Sequence, residues 1–302
     1  MNYYHAIKDE FVNNIITKKV NNYNINKSDL STYYNVGKLL VEAQGGEERA
    51  KYGNKLIKEY SNKLTKELGK GYSETNLKYM RQFYLVGISP HFADQLPWGI
   101  IRELLFLEEK QRNYYIKIFL SKKMSRNDLR KLIKSKEYER LPNDTKLKID
   151  NKEEISLPDT IKNPILIKNL YNLDMENISE KALQKLIVTN IYSFLKELGD
   201  GYTFVGNEYK IKIGNNYNYI DLLLFNIKYN CYVVVELKVR EFRKEDIGQI
   251  KLYMIYIDEE VKEEFNNNTQ GIIICKENDE LILKYIKEDN IIIRSFKLEC
   301  VL

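Results

Sequence analysis

Two strongly β-forming stretches near the end of the chain are interrupted by charge. The first reads Tyr219-Ile220-Asp221-Leu222-Leu223-Leu224-Phe225, and the second Tyr232-Val233-Val234-Val235-Glu236-Leu237-Lys238-Val239. Apolar runs of this kind, separated by a short turn, are expected to form paired core strands. A core strand rarely holds Asp, Glu and Lys unless they pair with one another or bind a cation. Any fold for this chain must therefore place Asp221, Glu236 and Lys238 where their burial is compensated.

Residues two apart on a strand share a face, so Glu236 and Lys238 project together. If the two strands pair as a meander, the Asp221 carboxylate reaches the same edge. Two carboxylates with carbonyl and water oxygens suit a hard divalent cation such as Mg²⁺. A lysine beside them can orient or help deprotonate an attacking water, while a metal lowers that water's pKa. The bland alternative is that Glu236 and Lys238 form the exposed end of a core strand. The next helix, read over 244–257, puts Gln249 and Tyr253 four residues apart on one face.

The rest of the composition narrows the chemistry. Only two histidines occur, His5 and His91, which argues against a histidine triad or an ordinary zinc site. Three cysteines (Cys231, Cys275 and Cys300) lack metal-ligand spacing and read as small buried hydrophobes in a reducing compartment. No signal-peptide pattern and no apolar run near ~20 residues is present, so a cytoplasmic protein with no membrane association is expected. Charge is uneven: residues 1–150 carry a net +10 and residues 151–302 a net −5. A basic half joined to an acidic half suggests a polyanion-binding module attached to something else, although a lysine-rich helical surface would look the same.

Residues 1–140 read as helical. Leu56, Tyr60, Leu64 and Leu68 recur every four residues, Gly69-Lys70-Gly71-Tyr72 stops that helix, and Ser73 caps the next. This is the outline of a helix-turn-helix, or of a helix pair that merely packs. Lys70, Lys78 and Arg81 would face DNA in the first case and solvent in the second. Pro97-Trp98 opens another helix, and Ser125 caps a later one over 127–136. Prolines and charges make 141–165 the best linker, with domains expected over 1–145 and 166–302. Beyond it come a long helix over 179–198 and strands over 202–205, 209–213, 217–225 and 232–239. A helix over 244–257, a strand over 271–275, a helix over 280–286 and a strand over 291–296 complete the order. That order implies a mixed sheet with helices on both sides.

At this point the chain resembles the YhcG-like PD-(D/E)XK nucleases. The C-terminal match runs through residues 194–206, Tyr219–Leu223, Val235-Glu236-Leu237-Lys238, Phe242, Glu245, Gly248-Gln249 and residues 271–276. The N-terminal half is similar to the helical domain preceding that nuclease, at Val36-Gly37-Lys38, Tyr52-Gly53, Gly71-Tyr72-Ser73, Asn76-Leu77, Met80-Arg81, Phe83-Tyr84 and Tyr138-Glu139-Arg140. The resemblance implies an all-α, helix-turn-helix-like N-terminal domain that binds DNA. It further implies an α/β restriction-endonuclease-like domain that cuts DNA with Mg²⁺ or Mn²⁺. Asp221 and Glu236 would hold the metal, Lys238 would act on the water, and Gln249 would stand near the carboxylates. Tyr253 would lie near nucleic acid, and Arg240 and Arg243 either contact phosphate or lie in solvent. Where the family's first helix carries Glu, this chain has Gln184, with Glu180 one turn earlier as a substitute; Glu208 stands where Gln is usual. A rival reading is therefore a catalytically impaired DNA-binding or partner-recruiting protein that keeps the nuclease fold. Cutting both strands needs two active sites, so a homodimer is compatible with the main reading.

Overall fold

The computed structural model describes residues 2–20, 25–46, 54–88, 96–277 and 288–300. Its contacts divide into two compact units, Met1–Ser135 and Lys136–Leu302. The expected helix over 280–286 and His91 lie outside the described residues.

The first unit is helical: α1 (Tyr3–Val20), α2 (Ile25–Ala43), α3 (Asn54–Leu68), α4 (Glu74–Leu85), α5 (Trp98–Leu104), α6 (Glu109–Lys122) and α7 (Arg126–Lys134). Ile7 and Phe11 of α1, Val36 and Leu40 of α2, Ile57, Tyr60 and Leu64 of α3, and Leu77 and Met80 of α4 form one core. On α3 the fully buried stripe runs through Ile57, while Leu56 and Leu68 pack only partly against it. Gly69 and Gly71 sit at φ +92° and +115°, a backbone that favours glycine, and this ends α3. Ser73 caps α4 by accepting from the Asn76 N–H, and Ser125 caps α7 by accepting from the Asp128 N–H.

Gly37 sets how closely α2 and α4 approach. A Cβ there would stand 2.1 Å from the Met80 carbonyl oxygen and 3.0 Å from Tyr84 Cβ. The obstacle is helix backbone and cannot swing away. Gly37→Ala is expected to lower the stability of the helical unit by about 1–3 kcal/mol, despite alanine's better helix propensity. A denaturant melt followed by helical circular dichroism checks this; an unchanged or raised midpoint would refute the close-packing account.

The second unit starts earlier than its sequence suggests. Residues 136–140, expected in the first domain, and 141–164, expected as linker, contain α8 (Asn143–Asn151) and α9 (Leu157–Thr160) and belong to this unit. The physical reason is a buried ionic knot. The Arg140 guanidinium donates to Glu197, and one of its nitrogens also donates to the Pro164 carbonyl at 2.8 Å. Lys162 Nζ stands 3.7 Å from both Glu197 and Glu137. Charges that look like a solvated linker are thus internal.

The unit continues with β1 (Ile165–Asn169), α10 (Glu180–Thr189), α11 (Ile191–Leu198), β2 (Tyr202–Ile213), β3 (Asn216–Asn226), β4 (Cys231–Lys238), α12 (Lys244–Glu260), β5 (Asn267–Cys275) and β6 (Ile291–Cys300). Ser179 caps α10, but the helix expected over 179–198 is two, broken at Asn190 (φ −125°, ψ 46°). The two short strands expected over 202–213 are one, with a bulge between Phe204 and Gly206. The six strands form a mixed sheet in the order β1-β6-β5-β4-β3-β2. β2, β3 and β4 are antiparallel neighbours, while β4, β5, β6 and β1 run parallel.

Helices cover both faces. Leu183, Leu186 and Ile187 of α10 and Phe194 of α11 share a core with Val233, Val235, Leu237, Ile272 and Ile274. Ile250, Tyr253, Met254 and Ile257 of α12 share another with Leu223, Val234 and Ile273. β4 is therefore buried on both sides, which explains its near-continuous apolar sequence. Among the cysteines, Cys231 and Cys275 are buried as expected, whereas Cys300 at the end of β6 is exposed. Among the described residues, no helix is long and apolar enough to cross a membrane.

Candidate active site

β3 and β4 pair antiparallel through Leu222↔Val235, which brings Asp221 and Glu236 together just past that pair. There the backbone ladder gives way to a side chain: Asp221 Oδ2 accepts from the Leu237 N–H at 2.8 Å. One strand's carboxylate thus takes over a bond that backbone would otherwise make. Glu236 is 2% exposed, and its Oε2 lies 3.2 Å from Lys238 Nζ. Its other oxygen, Oε1, is buried and has no hydrogen-bond partner. Such an orphaned buried oxygen is costly unless something outside the protein meets it.

The electrostatics follow from this crowding. Burial and the neighbouring Asp221 push the Glu236 carboxyl up to about 8. Asp221 is raised by burial too, against the Leu237 N–H and the Lys238 ammonium, with Glu180 and Glu208 adding negative field. Burial works to lower Lys238, but the attraction of Glu236, Glu180 and Asp221 outweighs it and the ammonium is held above its usual range. The three residues picked from the two apolar runs are therefore one electrostatically coupled cluster.

The flanking residues take more varied positions. Gln184 is buried on α10, and its Nε2 donates to the Asp221 backbone carbonyl at 2.9 Å. It braces the strand that carries Asp221. Glu180, in the first turn of α10, acts on Asp221, Lys238 and Arg240 through its field. Gln249 and Tyr253 do share a face of α12, and Gln249 Nε2 donates to the Tyr253 hydroxyl at 3.1 Å. The Tyr253 ring is only 5% exposed and packs in the core on the α12 side, so its bulk is spent on packing. Arg240 is held by Asp246 through contacts of 2.7 and 3.0 Å, while the Arg243 side chain is exposed. Asp246 is the group sequence reasoning missed. It is buried, accepts from the Arg243 N–H, and anchors the start of α12; an acid in a helix's first turn was the available signal.

In the helical unit, Lys70 is exposed in the turn before α4, and Lys78 pairs with Glu74 at 2.7 Å on the same helix. Arg81 is half-buried and reaches Gln44 at 3.4 Å.

Among the described residues no three His, Cys, Asp or Glu side chains gather as a ready-made metal cage. Two carboxylates do meet, one with an orphaned oxygen, and this donor set fits a hard divalent cation that completes its shell with water and carbonyl oxygens.

Comparison with known proteins finds one family match in each part of the chain. Residues 159–300 match the YhcG PDDEXK nuclease domain, and residues 11–140 match the DUF1016 N-terminal domain. The Escherichia coli (strain K12) protein described as "Putative nuclease YhcG" is 30% identical over 294 residues, covering 84% of this chain and 78% of that protein. Among solved structures, a repair endonuclease from Pyrococcus abyssi aligns at 23% identity over 41% of this chain and 47% of that chain, with a TM-score of 0.29. An EndoMS–dsDNA2 complex aligns at 20% identity over 40% and 45%, with a TM-score of 0.31. The chain spans under half of either solved chain, and overlaps this loose carry no argument about activity. The relative matched over most of both chains, the two domain matches and the paired Asp221, Glu236 and Lys238 lead to one conclusion: this chain belongs to the YhcG/DUF1016 family, a DUF1016 N-terminal domain followed by a PDDEXK nuclease domain.

Proposed function

We propose that the chain hydrolyses phosphodiester bonds of DNA as an endonuclease, with Mg²⁺ or Mn²⁺ held by Asp221 and Glu236. The observation that carries this reading is the buried carboxylate pair with an orphaned oxygen on Glu236 and an ammonium 3.2 Å from its other oxygen. A divalent cation bound there would neutralise charge on the phosphate and make water a better nucleophile. The protein's own groups do the positioning. The Leu237 N–H fixes the Asp221 carboxylate, and Gln184 fixes its backbone. The Lys238 ammonium, kept charged by its acidic neighbours, stabilises negative charge as the phosphate is attacked. Gln249 supports the site from α12, and Arg240 and Arg243 lie close along the chain for phosphate contact. In this reading the basic helical unit adds affinity for the DNA backbone, with Lys70 and Lys78 outward.

The test is cleavage of linear, branched, forked and single-stranded DNA with and without Mg²⁺ or Mn²⁺. Asp221→Ala and Lys238→Ala are expected to bind DNA as the wild type does and to cut it at least roughly 10²-fold more slowly. Metal-dependent cutting that survives both changes would sink the assignment. The rival, a nuclease fold kept for binding, rests on Gln184 standing where an acid is expected; binding without cutting on every DNA form would favour it.

A further inference from the structure

Beyond Leu222, β3 loses β4 as a neighbour, and residues 209–213 of β2 pair only with residues 216–220 of β3. The two strands form an arm leading away from the carboxylates. One side of this arm is committed to the core: Ile211 and Ile220 are 1% and 0% exposed. The other side carries Tyr217 and Tyr219, which are 57% and 54% exposed. Their partners across the ladder are both lysines, Lys212↔Tyr217 and Lys210↔Tyr219. Residues directly opposite in an antiparallel pair project to the same side. Lys210 Nζ also lies 3.8 Å from the centre of the Tyr217 ring, which puts the diagonal pair on one surface.

This pattern is not what an undecorated edge needs. Lysines alone protect an edge strand from unwanted pairing, whereas exposed aromatic rings do the reverse. Two solvated tyrosines beside two lysines suit a ligand with flat apolar faces and negative charge. Unpaired nucleotides have both: each base offers a face to stack on, and each phosphate a charge for an ammonium. Tyr219 is two residues from Asp221 on the same strand, or about 7 Å at ordinary strand rise, and Tyr217 is about 13 Å away.

We propose that the outer face of this arm, formed by Lys210, Lys212, Tyr217 and Tyr219, binds an unpaired segment of the DNA substrate next to the scissile phosphate. The inference rests on the reading of the second unit as a DNA-hydrolysing enzyme, and assigns that enzyme substrates with a single-stranded portion. Tyr217 and Tyr219 stack on bases, while Lys210 and Lys212 meet phosphates.

The test uses the full-length protein and a single-stranded oligodeoxynucleotide carrying 2-aminopurine, in metal-free buffer so that nothing is cut. Wild type is expected to bind it with a change in 2-aminopurine fluorescence. Tyr217→Ala and Tyr219→Ala should each weaken binding about tenfold, and the corresponding Phe variants should restore it, because stacking needs the ring and not the hydroxyl. Lys210→Ala and Lys212→Ala should each reduce the salt dependence of binding by roughly 0.7 in the log–log slope. Blunt duplex affinity should be little changed in the tyrosine variants. Alanine variants that hold the single strand as tightly as wild type, or that lose duplex and single strand equally, would overturn the proposal. Failure of the hydrolysis reading would look different: the tyrosine effects on binding would persist while wild type with metal cut no DNA.

Discussion

Glu236→Gln is expected to abolish hydrolysis and, at the same time, to make the metal-free protein more stable. The catalytic loss should be roughly 10²–10³-fold or more, because the amide removes half of the carboxylate pair proposed to hold the cation. The gain in stability follows from the sign of the pKa shift. Burial and Asp221 raise the Glu236 carboxyl to about 8, from an ordinary value of 4.5. Between pH 4.5 and 8 the folded protein keeps a proton that the unfolded chain has already released. The stabilisation linked to that proton is complete below about 4.5 and is lost as pH rises through 8. A glutamine cannot titrate and avoids the loss. The variant should therefore exceed wild type by about 1–2 kcal/mol near pH 8, with the gap closing toward pH 5. Thermal melts in chelator at pH 5, 6.5 and 8 would measure this. A variant that melts below wild type at pH 8 would show that Glu236 is not strained in the free enzyme.

The second large effect lies away from the catalytic cluster. Glu197→Ala is expected to destabilise the second unit by about 3–5 kcal/mol. Glu197 accepts from Arg140 and from the Leu166 N–H, and it stands 3.7 Å from Lys162. The Arg140 and Lys162 side chains are 8% and 6% exposed, so removing the acid takes a shared counter-charge from two buried cations and leaves Lys162 with Glu137 alone of its two acids. The loss should exceed that of an exposed pair such as Lys63–Glu59, where Glu59→Ala should leave the urea midpoint little changed. Urea titrations of the two variants side by side would check the contrast. Equal small losses would mean that the buried knot contributes no more than a surface pair.

That knot also marks where the sequence misleads. Lys162 sits among prolines and polar residues that local reading assigns to a linker, and Arg140 reads as part of the first domain. Their partner Glu197 is 57 residues from Arg140, a distance no periodicity reports. β1 was missed for a related reason: its five residues follow Pro164 and pair only with β6, far along the chain. Features governed by neighbouring residues were legible, including the caps at Ser73 and Ser125 and the β3–β4 meander. Asp221, Glu236 and Lys238 were legible because charge in an apolar strand demands compensation, and they do lie together. Gln184 and Tyr253 were harder. Gln184 spends its amide on backbone, and the Tyr253 ring on packing, and neither use has a signature in residue type or spacing.

The position of β6 bears on how the protein is made. It lies inside the sheet, between β1 and β5, so among the described strands the first of the unit finds its ladder partner only in the last. Lys168 and Glu299 face each other across 131 residues of chain. At a synthesis rate of about 5–20 residues per second, β1 leaves the ribosome roughly 7–26 seconds before its partner. During that wait it is an unpaired strand with an apolar side, open to pairing with another chain. The nascent protein should therefore depend on chaperones over this interval, and slowing translation late in the message should lower its soluble yield.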